Sequence, residues 1–283
     1  MSYSIALDIG ATKTLGAIIK NNRILKKIKQ PTQAKTNKNN ILKNIKKIIK
    51  ELMARPEIAH DVLKKIGVGF AGQIDQKKGL VLGTGNFVKS FKNIKLAEIL
   101  ESEFKVKVAI DNDVHCFVLA ESQRGAGVGI KNLVGLTLGT GIGGGILNQG
   151  VLWRGLNNTA GEVGNMKIAG QWIGPAPICG CGQKYCFESM ASGNAWHKIN
   201  KKYGAKKADQ IIIYNIVTGL INLCYILNPE MLILGGGLME HPGLLKKIKN
   251  EFLIRAEETW FRQVKIVLPK LGDEAILMGS LMN

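Results

Sequence analysis

The feature that most constrains this chain is a pattern that occurs twice. Leu7-Asp8-Ile9-Gly10-Ala11-Thr12-Lys13-Thr14 and Leu138-Gly139-Thr140-Gly141-Ile142-Gly143-Gly144-Gly145 each read as an apolar strand, a polar glycine-bearing hairpin and a second strand. Each is followed by a second turn, Asn21-Asn22 or Gln149-Gly150, and by a third strand. Strands joined by tight turns form an antiparallel meander. A repeated meander points to an α/β chain of two similarly built halves, with two hairpin turns facing each other across a cleft. The length of 283 residues suits one large or two ordinary domains.

Other elements follow from periodicity. Ile41, Leu42, Ile45, Ile48, Ile49 and Leu52 share one helical face, with lysines opposite. Strands are expected over Ile66–Phe70 and Val106–Ile110, and helices over Leu96–Phe104 and Val114–Arg124. After the second meander come a cysteine loop, a helix over Ala208–Leu227 and strands over Met231–Leu234 and Val264–Leu268. A last helix starts at Glu274. No uncharged apolar run reaches the roughly 18 residues of a membrane span. The nearest, Ile211 to Leu227, carries Asn215, Thr218 and Asn222 and reads as a buried helix. The N-terminus lacks the basic, apolar and small-residue succession of a secretion signal, so a cytoplasmic chain is expected.

Lys and Arg number 39 against 21 Asp and Glu, a net charge of +18. Such a charge invites a polyanion partner. The lysines, however, are spread over helix faces and turns, with no dense tract and no interleaved aromatics. That patterning is a solvated surface, or a general attraction for an anionic substrate. An odd five cysteines, without a secretion signal, argue against a disulfide framework. Cys116 and Cys224 lie in apolar helical patterns and read as core thiols.

Several motifs carry chemistry. Asp8 ends a strand, at the edge where α/β folds bind ligands. Gly10 lets backbone N–H groups approach a phosphate, Thr12, Lys13 and Thr14 add donors, and the carboxylate suits water-mediated Mg2+. A plain turn explains the same residues. Gly139 to Gly145 holds five glycines, and Gly235-Gly236-Gly237 follows a buried strand. Glycine weakens strands, so a closely approaching ligand or backbone is the natural cause. Asp111-Asn112-Asp113 opens a helix. Asp113 is a candidate base and Asn112 a partner for a sugar hydroxyl, yet the same triplet is an ordinary helix cap, with Asp111 as an alternative cap. Glu162 and Glu188 are either ligand contacts or surface carboxylates. Cys179, Cys181 and Cys186 are thiol-rich enough for Zn2+, although a closed site needs four ligands and His197 is eleven residues on.

Taken together, these motifs resemble the ROK family of sugar kinases and repressors, in the actin, sugar-kinase and Hsp70 fold group. Asp8-Ile-Gly-Ala-Thr-Lys13 is similar to the family's first phosphate motif, and Leu138-Gly-Thr-Gly-Ile-Gly143 to its second. Gly69-Phe-Ala-Gly72 resembles a sugar-proximal turn, with Ala where Pro is usual, and Asn86 sits where the family has a sugar-cleft Asn. Asn112-Asp113 matches the pair whose Asp is the catalytic base. Cys179 to Glu188 resembles the zinc motif and a sugar-contacting Glu, with Tyr185 where Gly is usual, and Leu234-Gly-Gly-Gly237 the adenosine motif. One departure stands out. The family pattern Glu-x-Gly-His, whose His ligates zinc and touches the sugar, reads Glu162-Val-Gly-Asn165 here.

The resemblance implies a two-lobed, ribonuclease H-like fold with a central cleft. A small lobe is expected over 1–115, a large lobe over 116–269, and a final helix, about 270–283, packing back on the first. It implies an ATP-dependent hexose kinase acting on the 6-hydroxyl, glucose first, with Mg2+ and commonly as a homodimer. Asp113 would be the base. Gly72, Asn86, Asn112, Glu162, Asn165 and Glu188 would contact the sugar. Asp8, Gly10, Thr12, Lys13, Gly139, Thr140, Gly141, Gly143 and Gly235 to Gly237 would hold the nucleotide and its metal. Cys179, Cys181 and Cys186 would hold zinc. An N-acylhexosamine or fructose acceptor, a polyphosphate donor and a non-catalytic sugar sensor are the rivals. The first strand begins within about five residues of Met1, which leaves no room for a helix-turn-helix module before it. Neither nucleic acid nor membrane is therefore an expected partner.

Overall fold

The fold is described from a computed structural model, which describes residues 2–83, 87–256 and 259–282. Asn86 lies outside the described residues. The chain divides into two compact units, 1–120 with 154–159 and 273–283, and 121–153 with 160–272.

The first unit begins with the meander β1 (Ser2–Ile9), β2 (Lys13–Lys20) and β3 (Arg23–Pro31); β1 gains its first two residues by pairing with the parallel strand that follows, and β2 and β3 lengthen together because Lys13 pairs with Pro31. Next come α1 (Lys38–Met53), β4 (Val62–Phe70), a small hairpin of β5 (Gln73–Asp75) and β6 (Leu80–Gly83), α2 (Leu96–Phe104) and β7 (Lys107–Asn112). Asn37 caps α1 by accepting the Asn40 N–H at 2.9 Å. Ile41, Ile45, Ile48, Ile49 and Leu52 are buried under the sheet, as the spacing predicts. The sheet order is β3-β2-β1-β4-β7, antiparallel through the meander and parallel from β1 onward. α3 (Asp113–Arg124) leaves the end of β7 and crosses into the second unit at Glu121.

The second unit repeats the plan. Its meander is β8 (Leu133–Leu138), β9 (Ile142–Asn148) and the two-residue β10 (Val151–Leu152). The helices α4 (Phe187–Ala191), α5 (Gly193–Tyr203) and α6 (Ala205–Leu227) follow, then β11 (Met231–Gly235), α7 (Leu244–Arg255) and β12 (Lys265–Val267). The order is β10-β9-β8-β11-β12, with the same strand directions as the first sheet. The repeat seen in the hairpins is thus a repeat of whole sheets. α8 (Ala275–Ser280), preceded by a single 3-10 turn, Gly272–Glu274, packs on β1 and β4 of the first unit. Gly67 on β4 lies against the Ser280 carbonyl, where a β-carbon would not fit.

Several extents differ from the sequence-based expectation. The first unit runs to Ala120 rather than 115, because the first turns of α3 pack with it. It also takes in 154–159, whose Arg154 and Asn158 side chains bond to Asp111 of β7. The hairpin β5–β6 and the helices α4 and α5 come in addition to the elements expected from the sequence. α6 is long and apolar enough to cross a membrane by composition, but 67% of its most apolar stretch is buried inside the protein. Its Asn215 is satisfied there, donating to the Gln171 and Met190 carbonyls at 2.9 and 2.8 Å.

Glu121 is the polar keystone of the second unit. It is fully buried, and its carboxylate accepts the N–H groups of Ala126, Lys270 and Leu271 at 2.7, 3.0 and 2.8 Å. Hydrogen bonds to a charged group contribute about 1.5–3 kcal/mol each. Glu121→Ala is expected to lower the unfolding free energy by about 3–5 kcal/mol, read as a shifted urea midpoint.

Candidate active site

In the first unit, parallel register sets the site. Asp8 pairs with Gly69, and Gly69 with Asp111; one residue later Ile9 pairs with Phe70 and Phe70 with Asn112. Asp8 and the Asn112-Asp113 turn therefore leave the sheet at one edge, about 10 Å apart across two strand spacings.

The first hairpin is built as a cradle, with roles redistributed among its residues. The Gly10 N–H does not point outward but closes the turn on the Lys13 carbonyl at 3.0 Å. The Thr14 hydroxyl, expected as a donor to a ligand, is buried and meets the Thr32 hydroxyl at 2.8 Å. Thr32 in turn donates to the Gly10 carbonyl at 2.6 Å, bracing the turn from behind. The N–H groups of Ala11 and Thr12 have no protein acceptor among the described residues, and Thr12 and Lys13 are exposed. Two backbone donors beside a lysine suit a phosphate. Asp8 stands next to them with its pKa raised to about 7, pushed up by burial and then by the charge of Asp113, against the pull of Lys13. A carboxylate held this reluctantly ionised favours a bound cation, which fits Mg2+.

Asp111, Asn112 and Asp113 divide their work. Asn112 is the cap: its Oδ1 accepts the Val114 and His115 N–H groups at 2.9 and 3.1 Å. Its amide donates to the Gly72 carbonyl at 3.1 Å, which leaves one amide proton for a ligand. Gly72 itself is a packing residue, since a β-carbon there would meet the Gly83 carbonyl at 2.5 Å. Asp111, the alternative cap, is fully buried and is not the cap. Asp113 opens α3 and accepts the adjacent Val114 N–H at 2.9 Å, while the cap bonds to the Val114 and His115 N–H groups come from Asn112.

The second unit carries the other hairpin. The Gly139 N–H closes on the Gly141 carbonyl at 2.9 Å, as Gly10 does on Lys13. Thr140 at the tip is exposed, and a β-carbon on Gly139 would meet nothing within 4 Å. The remaining glycines are split between ligand access and packing. Gly143 sits inside the ladder opposite Thr137. A β-carbon on Gly144 would lie 2.7 Å from the Gly161 carbonyl, and the chain before Glu162 passes through that gap. Gly235 pairs with Thr137 and is buried, and Gly236, at φ +90°, lies against the Leu138 backbone. Only Gly237 of that trio faces open space. Close backbone approach thus explains Gly144 and Gly236, while Gly139 and Gly237 face open space.

Glu162 and Asn165 are exposed on the 3-10 turn Val163–Asn165 and its cap. Glu188, half-buried at the start of α4, accepts the Ile142 N–H at 3.0 Å, so one carboxylate oxygen is bound to the hairpin. The three cysteine sulfurs lie within 4.8 Å of one another, with Cys181 and Cys186 3.6 Å apart. Three thiols at this spacing fit three corners of a tetrahedral zinc site. Two oxygens approach the cluster at Cys179, the Asn165 Oδ1 and Glu188 Oε1 lying 3.9 and 3.7 Å from its Sγ. His197 instead packs edge-on against Trp196 and is outside the cluster. Tyr185 adopts φ +60°, the conformation for which glycine suits that position.

The model of the ROK family matches residues 4–282. The chain belongs to the ROK family. Glucokinase from Thermotoga maritima is 28% identical over 312 residues, covering 98% of this chain and 95% of that protein. N-acetyl-D-glucosamine kinase from Photobacterium profundum is 31% identical over 244 residues, 76% of this chain and 78% of that one. The crystal structure of a ROK glucokinase from Streptomyces griseus, in complex with glucose and AMPPNP, superposes with a TM-score of 0.83 at 24% identity, over 99% and 98% of the two chains. The ROK chain therefore has the actin-like sugar-kinase fold.

The raised Asp8 pKa has a measurable sign. In the unfolded chain the group titrates near 4, so between about 4 and 7 the folded state binds the extra proton. Stability contributed by this group is present below about 4 and lost as pH rises through 7. Asp8→Asn is expected to abolish that loss, giving a higher Tm than wild type at pH 8 without Mg2+ and an equal one at pH 4. Thermal melts across that range check it.

Proposed function

We propose that this ROK chain is an ATP-dependent hexose kinase that phosphorylates the sugar 6-hydroxyl, with glucose as the first acceptor to test. The broader class, a phosphotransferase with an alcohol acceptor, follows from its family and relatives. The observation that carries the finer reading is the pairing of Asp8 and Asp113 at one sheet edge, beside a hairpin with unpaired N–H groups.

Asp113 takes the proton of the attacking hydroxyl and aligns its oxygen, help typically worth about 10²–10⁴-fold. Asn112 offers its remaining amide proton to a neighbouring hydroxyl. In the second unit Glu162, Asn165 and Glu188 are the candidate sugar contacts. Ala11, Thr12 and Lys13, with Thr140 and Gly141, receive phosphate oxygens, and Gly237 lies open to the adenosine. Mg2+ held through Asp8 would neutralise phosphate charge as the bond to the leaving oxygen breaks. The rest of the rate comes from positioning, since phosphoryl transfer asks little covalent chemistry of the protein. The +18 charge supports attraction of an anionic nucleotide rather than a nucleic acid. The organisation as a homodimer belongs to this reading.

An N-acylhexosamine acceptor is the second reading, favoured by the 31% identity to an N-acetyl-D-glucosamine kinase. One experiment separates the two: ADP release with ATP, Mg2+ and glucose, mannose, fructose, N-acetylglucosamine or N-acetylmannosamine. Turnover on at least one sugar, reduced by at least about 10²-fold in Asp113→Asn, is expected. Absence of sugar-dependent turnover in folded protein rejects the kinase.

Zinc held by Cys179, Cys181 and Cys186 would brace the loop before Glu188, with a side-chain oxygen in place of the fourth nitrogen or sulfur. Elemental analysis is expected to find close to one zinc per chain in wild type and none in Cys181→Ser. Asn165→His is expected to hold the metal more tightly against a chelator, because imidazole is the better ligand.

A further inference from the structure

Asp111 is a buried carboxylate for which the reaction has no direct use. It is fully enclosed and takes polar contacts from its own strand end, from α3 and from the segment 154–159. Oδ1 accepts the Asn112 N–H at 2.8 Å and the Asn158 amide at 3.0 Å, and faces the His115 Nδ1 at 3.3 Å. Oδ2 accepts the Arg154 Nη1 at 2.5 Å. The same Arg154 nitrogen reaches the Asn158 Oδ1 at 2.8 Å, and Asn158 donates to the Ile74 carbonyl of β5 at 2.9 Å. Burial pushes the Asp111 pKa up, but the His115 hydrogen bond and the charges of Arg154 and His115 more than offset it, so the group stays ionised.

Arg154 and Asn158 lie on a strap, 154–159, that belongs to the first unit although Trp153 and Ala160 belong to the second. From the strap, Arg154 and Asn158 both bond to Asp111. An exposed ion pair of this kind would be worth little. Here one partner has no contact with water, and removing the other leaves a buried charge uncompensated. The consequence falls on the backbone, because Asp111 holds the peptide N–H of Asn112, the residue that caps α3 and precedes Asp113.

We propose that Arg154 and Asn158 are positioning residues, which fix the Asn112-Asp113 turn by holding the Asp111 carboxylate in place. Neither touches the reacting atoms. The inference rests on the reading of Asp113 as base for its effect on turnover, but the positioning itself is measurable without turnover. Loss of the guanidinium lets Asp111 take up a proton or turn away, and either change loosens the Asn112 N–H and the first turn of α3. A displacement of about 1 Å at a reacting group costs on the order of 10²-fold.

The test compares Arg154→Met, which keeps the stem, Arg154→Lys, which keeps the charge, and Asn158→Ser in the full chain. Amide hydrogen exchange of 112–115 is read against that of the β1–β2 ladder, together with kcat and the KM for ATP. Arg154→Met is expected to speed exchange at 112–115 by at least about tenfold and leave the ladder unchanged. kcat falls by about 10–100-fold with the KM for ATP within about twofold, and Arg154→Lys recovers part of both losses. Should Arg154→Met fail to fold, Asn158→Ser is read in the same way, with a smaller effect. Unchanged exchange at 112–115, or protection lost evenly through the first unit, overturns the inference. A wild type without sugar-dependent turnover overturns the kinase reading, while exchange at 112–115 still decides the positioning.

Discussion

Parallel register governs this protein. Because β1, β4 and β7 run in the same direction and pair Asp8 with Gly69 and Gly69 with Asp111, the polar ends of nonconsecutive strands emerge at one edge. Carboxylates far apart in sequence become neighbours in charge, and burial first, then the charge of Asp113, raise the pKa of Asp8. A slip of one residue would turn every side chain of a strand to the opposite face and bury one set of acids in the core. The second unit repeats the device, with Gly235 opposite Thr137, so that the glycine trio and the second hairpin leave their sheet together.

Polar groups around the candidate site divide into those that build it and those it offers to a ligand. Thr14 and Thr32 brace the first hairpin, Asn112 caps α3, and Gly144 and Gly236 make room for neighbouring backbone. The Ala11 and Thr12 N–H groups are left without a protein acceptor among the described residues, and Gly139 and Gly237 face open space. The thiol cluster follows the same economy. Three sulfurs converge, and the position where the family has an imidazole presents an amide oxygen instead.

Much of this organisation was legible in the sequence. Six apolar residues at helical spacing marked α1, and Leu96–Phe104 and Leu133–Leu138 end where the periodicity ends. The double hairpin announced a duplicated plan, and the Asp8, Asn112-Asp113 and cysteine motifs pointed to the family. Less legible were α4 and α5, short helices that pack on α6. The strap at 154–159 was invisible as well. Arg154 and Asn158 form no motif, and their meaning lies in a partner more than forty residues away.

By itself, the sequence determined the elements, the duplication and the residue types able to handle a phosphate, a proton and a thiophilic metal, because these depend on local spacing and intrinsic chemistry. The tertiary structure alone decided which of those residues are spent on the scaffold. Thr14 became a brace, Asn112 rather than Asp111 became the cap, and Asp111 became a buried anchor tied to Arg154. The physical reason is that a polar group's role depends on whether its hydrogen-bonding capacity is already met, and the partners that meet it are brought together only when the sheets and helices pack.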